Sequence, residues 1–176
     1  LKKIILILLL VAGIAMGSFA QTGSTPKLSI GVDLGLPTGQ AAELYSSVIG
    51  ASVKLELPIS NTNLKFMVNA GYSNFMIKSD YNNSNLLNAS YTQIEAGARY
   101  YFIPMLYAEG DFGVSVNVNS NYSAQRVGLA YDPTIGVNLP VSKSGAVDIG
   151  IRYDGRVESA GTVSQVALRL AYSFNL

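Results

Sequence analysis

Gln165-Val166-Ala167-Leu168-Arg169-Leu170-Ala171-Tyr172-Ser173-Phe174-Asn175-Leu176 decides how this chain is read. Val166, Leu168, Leu170, Tyr172, Phe174 and Leu176 are large and apolar, and the residues between them are small or polar. Successive side chains of a strand point to opposite faces, so the stretch has one apolar face and one wet face. Crossing the apolar layer of a bilayer takes roughly 9–11 tilted strand residues. The alternation is long enough for such a crossing.

Upstream, the same two-residue period recurs seven times. Leu28, Ile30, Val32, Leu34 and Leu36 oppose Ser29, Gly31, Asp33 and Gly35. Val53, Leu55, Leu57 and Ile59 oppose Ser52, Lys54 and Glu56. Leu64, Phe66, Val68, Ala70 and Tyr72 form a third apolar face, and Ile94, Ala96, Ala98, Tyr100 and Phe102 a fourth. Leu106, Ala108, Phe112, Val114 and Val116 form the fifth. The sixth runs through Val127, Leu129, Tyr131, Ile135, Val137 and Leu139, and the seventh through Val147, Ile149, Ile151 and Tyr153. Pro133 lies inside the sixth and removes a ladder donor, which predicts a bulge or a local break. Longer connections at 38–47, 78–90, 117–125 and 154–163 alternate with turns at 60–63, 103–105 and 140–145. Even strand number with alternating short turns and longer loops is the pattern of a membrane barrel. The predicted fold class is all-β: an eight-stranded antiparallel up-and-down transmembrane β-barrel, preceded by a cleaved signal peptide.

The leader is read from Lys2 and Lys3, the apolar residues 4–15, and the small-x-small site Ser18-Phe19-Ala20. The expected division is a signal peptide over 1–20 and an outer-membrane barrel domain over 21–176, exported to the cell outer membrane of a Gram-negative envelope. Charged residues make up only 13% of the 176-residue chain, about half the globular norm of ~25%. Cys and His are absent, which removes disulfides, thiolate ligands and the commonest general base. A formal charge of +1 offers no footprint for nucleic acid.

Alternation alone leaves the direction of the faces open, because a soluble lipocalin-like barrel also alternates, with its apolar side inward. The apolar faces here carry no charge, and the polar faces mix charge with Gly, Ser and Ala. Aromatics gather near strand ends on the apolar side: Tyr72, Tyr100, Phe102, Tyr131, Tyr153, Tyr172 and Phe174. They are expected to form a girdle at the membrane interface. The polar side then becomes the lumen, holding Asp33, Lys54, Glu56, Lys65, Glu95, Arg99, Glu109, Asp111, Arg126, Asp132, Asp148, Arg152 and Arg169, with Asp154 beside them. Eight strands leave an interior just wide enough for side chains. Those charges are therefore expected to pair as a structural network, and an ion path is the sharper alternative.

Glu95-Ala96-Gly97-Ala98-Arg99-Tyr100-Tyr101-Phe102, Tyr107-Ala108-Glu109-Gly110-Asp111-Phe112-Gly113 and Ala146-Val147-Asp148-Ile149-Gly150-Ile151-Arg152-Tyr153 carry a family likeness. With the closing strand, they resemble the small outer-membrane β-barrel domains of the OmpA/OmpX type. The resemblance covers about residues 27–176. It implies an integral barrel with a structural or adhesin-like, surface-interacting role, inserted in outer-membrane lipid by the barrel-assembly machinery. Leu176 stands where that family places a terminal aromatic, with Phe174 two residues before it. The chain is expected to be a monomer and not an enzyme, with no cofactor, metal or catalytic residue and no nucleic-acid partner. A surface partner would meet the loops at 38–47, 78–90, 117–125 and 154–163. A narrow, porin-like pore for small solutes or ions, and a soluble periplasmic ligand-binding barrel, are the competing readings.

Overall fold

The computed structural model describes residues 25–60, 62–79, 88–119, 127–158 and 161–176. The expected leader, Arg126 and parts of three expected loops, 78–90, 117–125 and 154–163, lie outside them. The strands are β1 (Lys27–Thr38), β2 (Tyr45–Pro58), β3 (Leu64–Ile77), β4 (Ala89–Tyr101), β5 (Leu106–Asn117), β6 (Val127–Pro140), β7 (Gly145–Glu158) and β8 (Gly161–Asn175). A short helix, α1 (Ala41–Leu44), sits between β1 and β2. Each strand pairs antiparallel with its sequence neighbours, and β1 pairs with β8, closing an eight-stranded up-and-down barrel. Closure runs from Lys27 opposite Asn175 to Thr38 opposite Ser164. With 12 to 15 residues each, the strands exceed the roughly 9–11 needed to cross an apolar layer.

The faces sort as alternation requires. Along β1, Ile30, Val32, Leu34 and Leu36 are exposed, and Ser29, Gly31, Asp33 and Gly35 are buried. Along β8, Val166, Leu168, Leu170 and Tyr172 are exposed, and Ala167, Arg169, Ala171 and Ser173 are buried. The molecule is thus apolar outside and polar inside, the inverse of a water-soluble barrel. The outward aromatics fall into two groups. Tyr100, Phe102, Tyr172 and Phe174 lie toward the short turns, with Tyr100 and Phe102 edge-to-face at 5.3 Å. Tyr72, Tyr131 and Tyr153 lie toward the opposite end, and the last two rings are 6.0 Å apart.

Four local expectations need correction. The first connection is shorter than 38–47, because β2 starts at Tyr45 and α1 fills the gap. Gly39, at φ +56°, takes the left-handed step that turns β1 into α1. The connection expected at 154–163 shrinks to residues 159–160, since β7 and β8 stay paired from Gly155 opposite Ser164 to Glu158 opposite Gly161. The connections after β3 and β5 are bounded by Ile77 and Ala89, and by Asn117 and Val127. At Pro133 the expectation of a bulge or a local break is met by the break: Tyr131 opposite Gly155 and Thr134 opposite Arg152 keep one register, with no partner for Asp132 and Pro133 between them. The imino nitrogen has no hydrogen to donate there, and β6 remains fully paired with β5 through Gly110 opposite Pro133.

Candidate functional site

The lumen is the site that the fold builds. Inward positions repeat every second residue, so consecutive lumen residues of one strand stand at successive heights and face those of neighbouring strands. At the turn end, Lys27 Nζ lies 3.8 Å from Glu56, and Tyr101 donates to Glu56 at 2.9 Å. Lys65 was expected among the lumen charges. Instead it stands partly exposed at this mouth and donates to the Thr62 carbonyl at 3.2 Å, outside the ion-pair network. Its place at the second residue of β3 puts a long flexible side chain beside open solvent.

Below the mouth, Arg99 gathers three carboxylates. Its Nε donates to Glu109 at 2.5 Å, and its Nη1 reaches Asp148 at 2.9 Å and Glu56 at 3.3 Å. The guanidinium lies 3.7 Å from the Tyr107 ring centroid, and Tyr107 donates to Asp148 at 2.8 Å. Arg169 joins from β8, bonding Ser52 at 2.9 Å and Ser29 at 3.0 Å and meeting Asp148 at 3.4 Å. Planar guanidinium forks suit such shared use, because several donors leave one group in fixed directions.

At mid-height Lys54 forms a close ion pair with Glu109 and reaches Asp111 at 3.3 Å and Asp132 at 4.0 Å. Arg152 meets Asp132 at 2.9 Å, Asp154 at 3.5 Å and Asp33 at 3.6 Å. Glu95 differs from the other acids. It accepts from Asn69 at 2.7 Å and Gln93 at 3.2 Å, and among the described residues it has no cation within ion-pair distance.

Arg156 is a lumen residue that the sequence reading missed, because strand seven was ended at Asp154. It is fully buried, bonds Gln93 at 2.7 Å, Ser73 at 2.8 Å and Asp154 at 3.0 Å, and lies over two rings, Phe75 at 5.3 Å and Tyr91 at 4.9 Å. Those rings belong to an inward apolar cluster of Ala41, Tyr45, Val48, Phe75, Ala89 and Tyr91. Phe75 stands edge-to-face to Tyr45 at 5.6 Å and to Tyr91 at 5.7 Å. The loop end of the lumen is therefore capped by aromatic rings, with a buried guanidinium directly beneath.

Of the residues placed in the lumen from sequence, Asp33, Lys54, Glu56, Glu95, Arg99, Glu109, Asp111, Asp132, Asp148, Arg152 and Arg169 are all buried and inward. The buried inward charges number eight carboxylates against five cations among the described residues. No group of three or more Asp or Glu among the described residues is arranged to hold a metal.

No protein-family model and no curated protein sequence matches this chain. Solved structures do. Neisserial surface protein A superposes with a TM-score of 0.61 at 16% identity, covering 87% of this chain and 98% of that one. Ail, the attachment invasion locus protein of Yersinia pestis, gives 0.58 at 14% identity, covering 86% and 99%. The outer-membrane enzyme PagL gives 0.54 at 12% identity, covering 84% and 99%. One architecture thus serves proteins of different roles, and the likeness speaks to fold alone. The chain has the fold of the small eight-stranded outer-membrane β-barrels.

Proposed function

We propose that this chain is an integral outer-membrane barrel whose lumen is a structural core and whose loop end meets an external partner. The single observation behind this reading is the filled lumen. Ion pairs run from Glu56 through Arg99, Lys54 and Arg152 to Arg156, and the aromatic cluster lies across the end. The outward face adds support for the location: Leu34, Leu129, Phe112 and Ile151 are more than half exposed, a cost in water and none in lipid. In this reading the chain is monomeric, is inserted by the barrel-assembly machinery, carries no catalytic role, and offers the connections 39–44, 78–88 and 118–126 outward. The connection at 159–160 is too short to add much to that surface.

Planar-bilayer conductance tests the core. A filled lumen passes little current. Steady channels, abolished by Glu95→Gln or Arg99→Gln, would replace this reading with a narrow pore. Fractionation tests the location: the protein should stay with membranes until detergent is added and should migrate differently on gels before and after heating. Recovery in the aqueous fraction without detergent would favour a soluble periplasmic barrel.

A further inference from the structure

We propose that the turn-end mouth of the barrel is a binding cup for a small oxyanion, a phosphate or carboxylate held between Lys27 and Lys65. The inference rests neither on what the loops bind nor on whether the lumen beneath conducts. The mouth holds a cavity of about 460 Å³, and Lys27, Glu56, Asn63, Lys65, Tyr101 and Asn175 are among its lining residues. Its floor is closed. Tyr101 and Tyr107 are buried and stand edge-to-face at 5.7 Å, and the buried Arg99 guanidinium lies against both rings. A solute entering from the turns stops at this layer.

Two of the lining side chains are ammonium groups and one is a carboxylate. That carboxylate is already claimed. Glu56 Oε2 accepts from Tyr101 at 2.9 Å and from Arg99 at 3.3 Å, which leaves Oε1 for Lys27 at 3.8 Å. Lys65 has a neutral partner, the Thr62 carbonyl at 3.2 Å, and no carboxylate within ion-pair distance among the described residues. The neighbouring sequence supplies no second anionic side chain. Through 25–28, 56–65, 101–106, 140–146 and 173–176, Glu56 is the one acidic residue against Lys27, Lys65 and Lys143. Residues 21–24 and Asn61, outside the described residues, have no ionisable side chain.

Register sets the two ammonium groups on either side of β2. Lys27 is opposite Glu56, and Lys65 is opposite Pro58, two residues further along. Lys27 shares the inward parity of Ser29 and Asp33, and Lys65 that of Met67 and Asn69. β1 and β3 are roughly 10 Å apart across β2. Two flexible lysine stems can close on one anion across that gap, and the Pro58 side chain between them has no polar atom to compete. Paired ammonium groups beside neutral amides suit an oxyanion and repel a cation. Because the stems lie inside the bore, the ligand is a solute and not a lipid headgroup. Short turns are periplasmic in such barrels, so that solute is a periplasmic one.

The test uses the whole barrel refolded in neutral detergent at low salt, titrated with inorganic phosphate and, separately, with succinate. Amide shifts of Asn63 and Asn175 and the phosphorus-31 linewidth of phosphate report binding. Saturation with a Kd on the order of 1 mM is expected for at least one of the two solutes. Lys65→Gln should weaken it roughly tenfold, and Lys27→Gln by a similar factor. Glu56→Gln should tighten it, because Lys27 then loses its competing carboxylate. Lys143→Gln, on the exposed turn outside the cup, should leave it unchanged. The heated and unheated gel pattern verifies that each variant is folded, and Lys65→Gln removes no ion pair on which folding depends. Absence of saturable binding to either solute, binding that survives Lys65→Gln, or an equal loss in Lys143→Gln would overturn the proposal. So would the same amide shifts produced by phosphatidylglycerol nanodiscs, relative to phosphatidylcholine ones, with no response to the solutes.

Discussion

Arg156→Met removes the cation beneath the aromatic cap and keeps most of the side chain's volume. Three buried hydrogen bonds are lost with it, one of them also the ion pair to Asp154. Breaking a buried pair by removing one partner costs about 3–5 kcal/mol. Two features lower that figure here. Asp154 keeps Arg152 at 3.5 Å and Gln165 at 3.0 Å, so its charge is not stranded. A methionine thioether also rests well against Phe75 and Tyr91, taking over part of the cation–ring attraction. The expected loss is about 2–3 kcal/mol. Asp154→Asn should cost less in the Arg156→Met background than alone, with a coupling of about 1–2 kcal/mol. Urea titration of the refolded barrel, followed by far-UV circular dichroism because the chain has no Trp, gives each corner of the cycle. A loss under about 0.5 kcal/mol with additive effects would mean that Arg156 stands in solvent, and the extension of β7 into the lumen would fall with it.

Leu168 lies outward between Leu34 and Ile151, so Leu168→Arg should cost roughly 2–4 kcal/mol and block insertion, whereas Ala167→Ser on the lumen side should be mild. The heated and unheated gel pattern reads both, and the opposite outcome would invert the faces. Gly136→Ala would place a Cβ 2.6 Å from Tyr107 Cζ and 2.7 Å from the Ile149 carbonyl. Displacing that ring from Arg99 and Asp148 should lower stability by about 1–3 kcal/mol in urea, and an unchanged midpoint would show that the ring has room to move. Phe75→Ala removes the ring shared by Tyr45, Tyr91 and Arg156, with an expected loss of about 3–5 kcal/mol. Conductance should rise only if the cap also seals, and an unchanged current would place the seal in the ion pairs below.

The sequence was most readable where a residue's face and its chemistry agreed. Val166 to Leu176 alternate without exception, and the barrel follows from that period, because a slip of one residue would turn every leucine inward. The lumen charges were legible for the same reason. Legibility failed where the two signals diverged. Phe75 shares the inward parity of Met67, Asn69, Gly71 and Ser73, yet an aromatic there resembles one more lipid-facing ring. Val48 has the inward parity of Gly50, Ser52, Lys54 and Glu56, and Tyr45 lies beyond a register shift, so neither could be placed by counting. Gly155 and the small residues near Gly161 suggested a loop and hid Arg156. Continuing the even positions Asp148, Arg152 and Asp154 by one step would have found it.

That divergence has a physical logic. A membrane barrel with an apolar interior as well as an apolar exterior would have strands with no preferred face. A one-residue slip would then cost little, and pairing would be free to wander. Buried ion pairs add little net stability, since desolvation consumes most of what they gain. Their contribution here is discrimination: Arg99 turned outward would strand a cation in lipid and take one cation away from each of Glu109, Asp148 and Glu56 inside. The alternation can relax only where the surroundings stop enforcing it. The loop end is such a place, because strands of up to 15 residues run past the apolar layer. Phe75, Tyr45 and Tyr91 occupy that end, with Arg156 at the boundary between the charged ladder and the rings. A charge placed among those rings should therefore shift stability without changing strand register, whereas the same charge at Leu34 or Leu170 should prevent the barrel from closing in lipid at all.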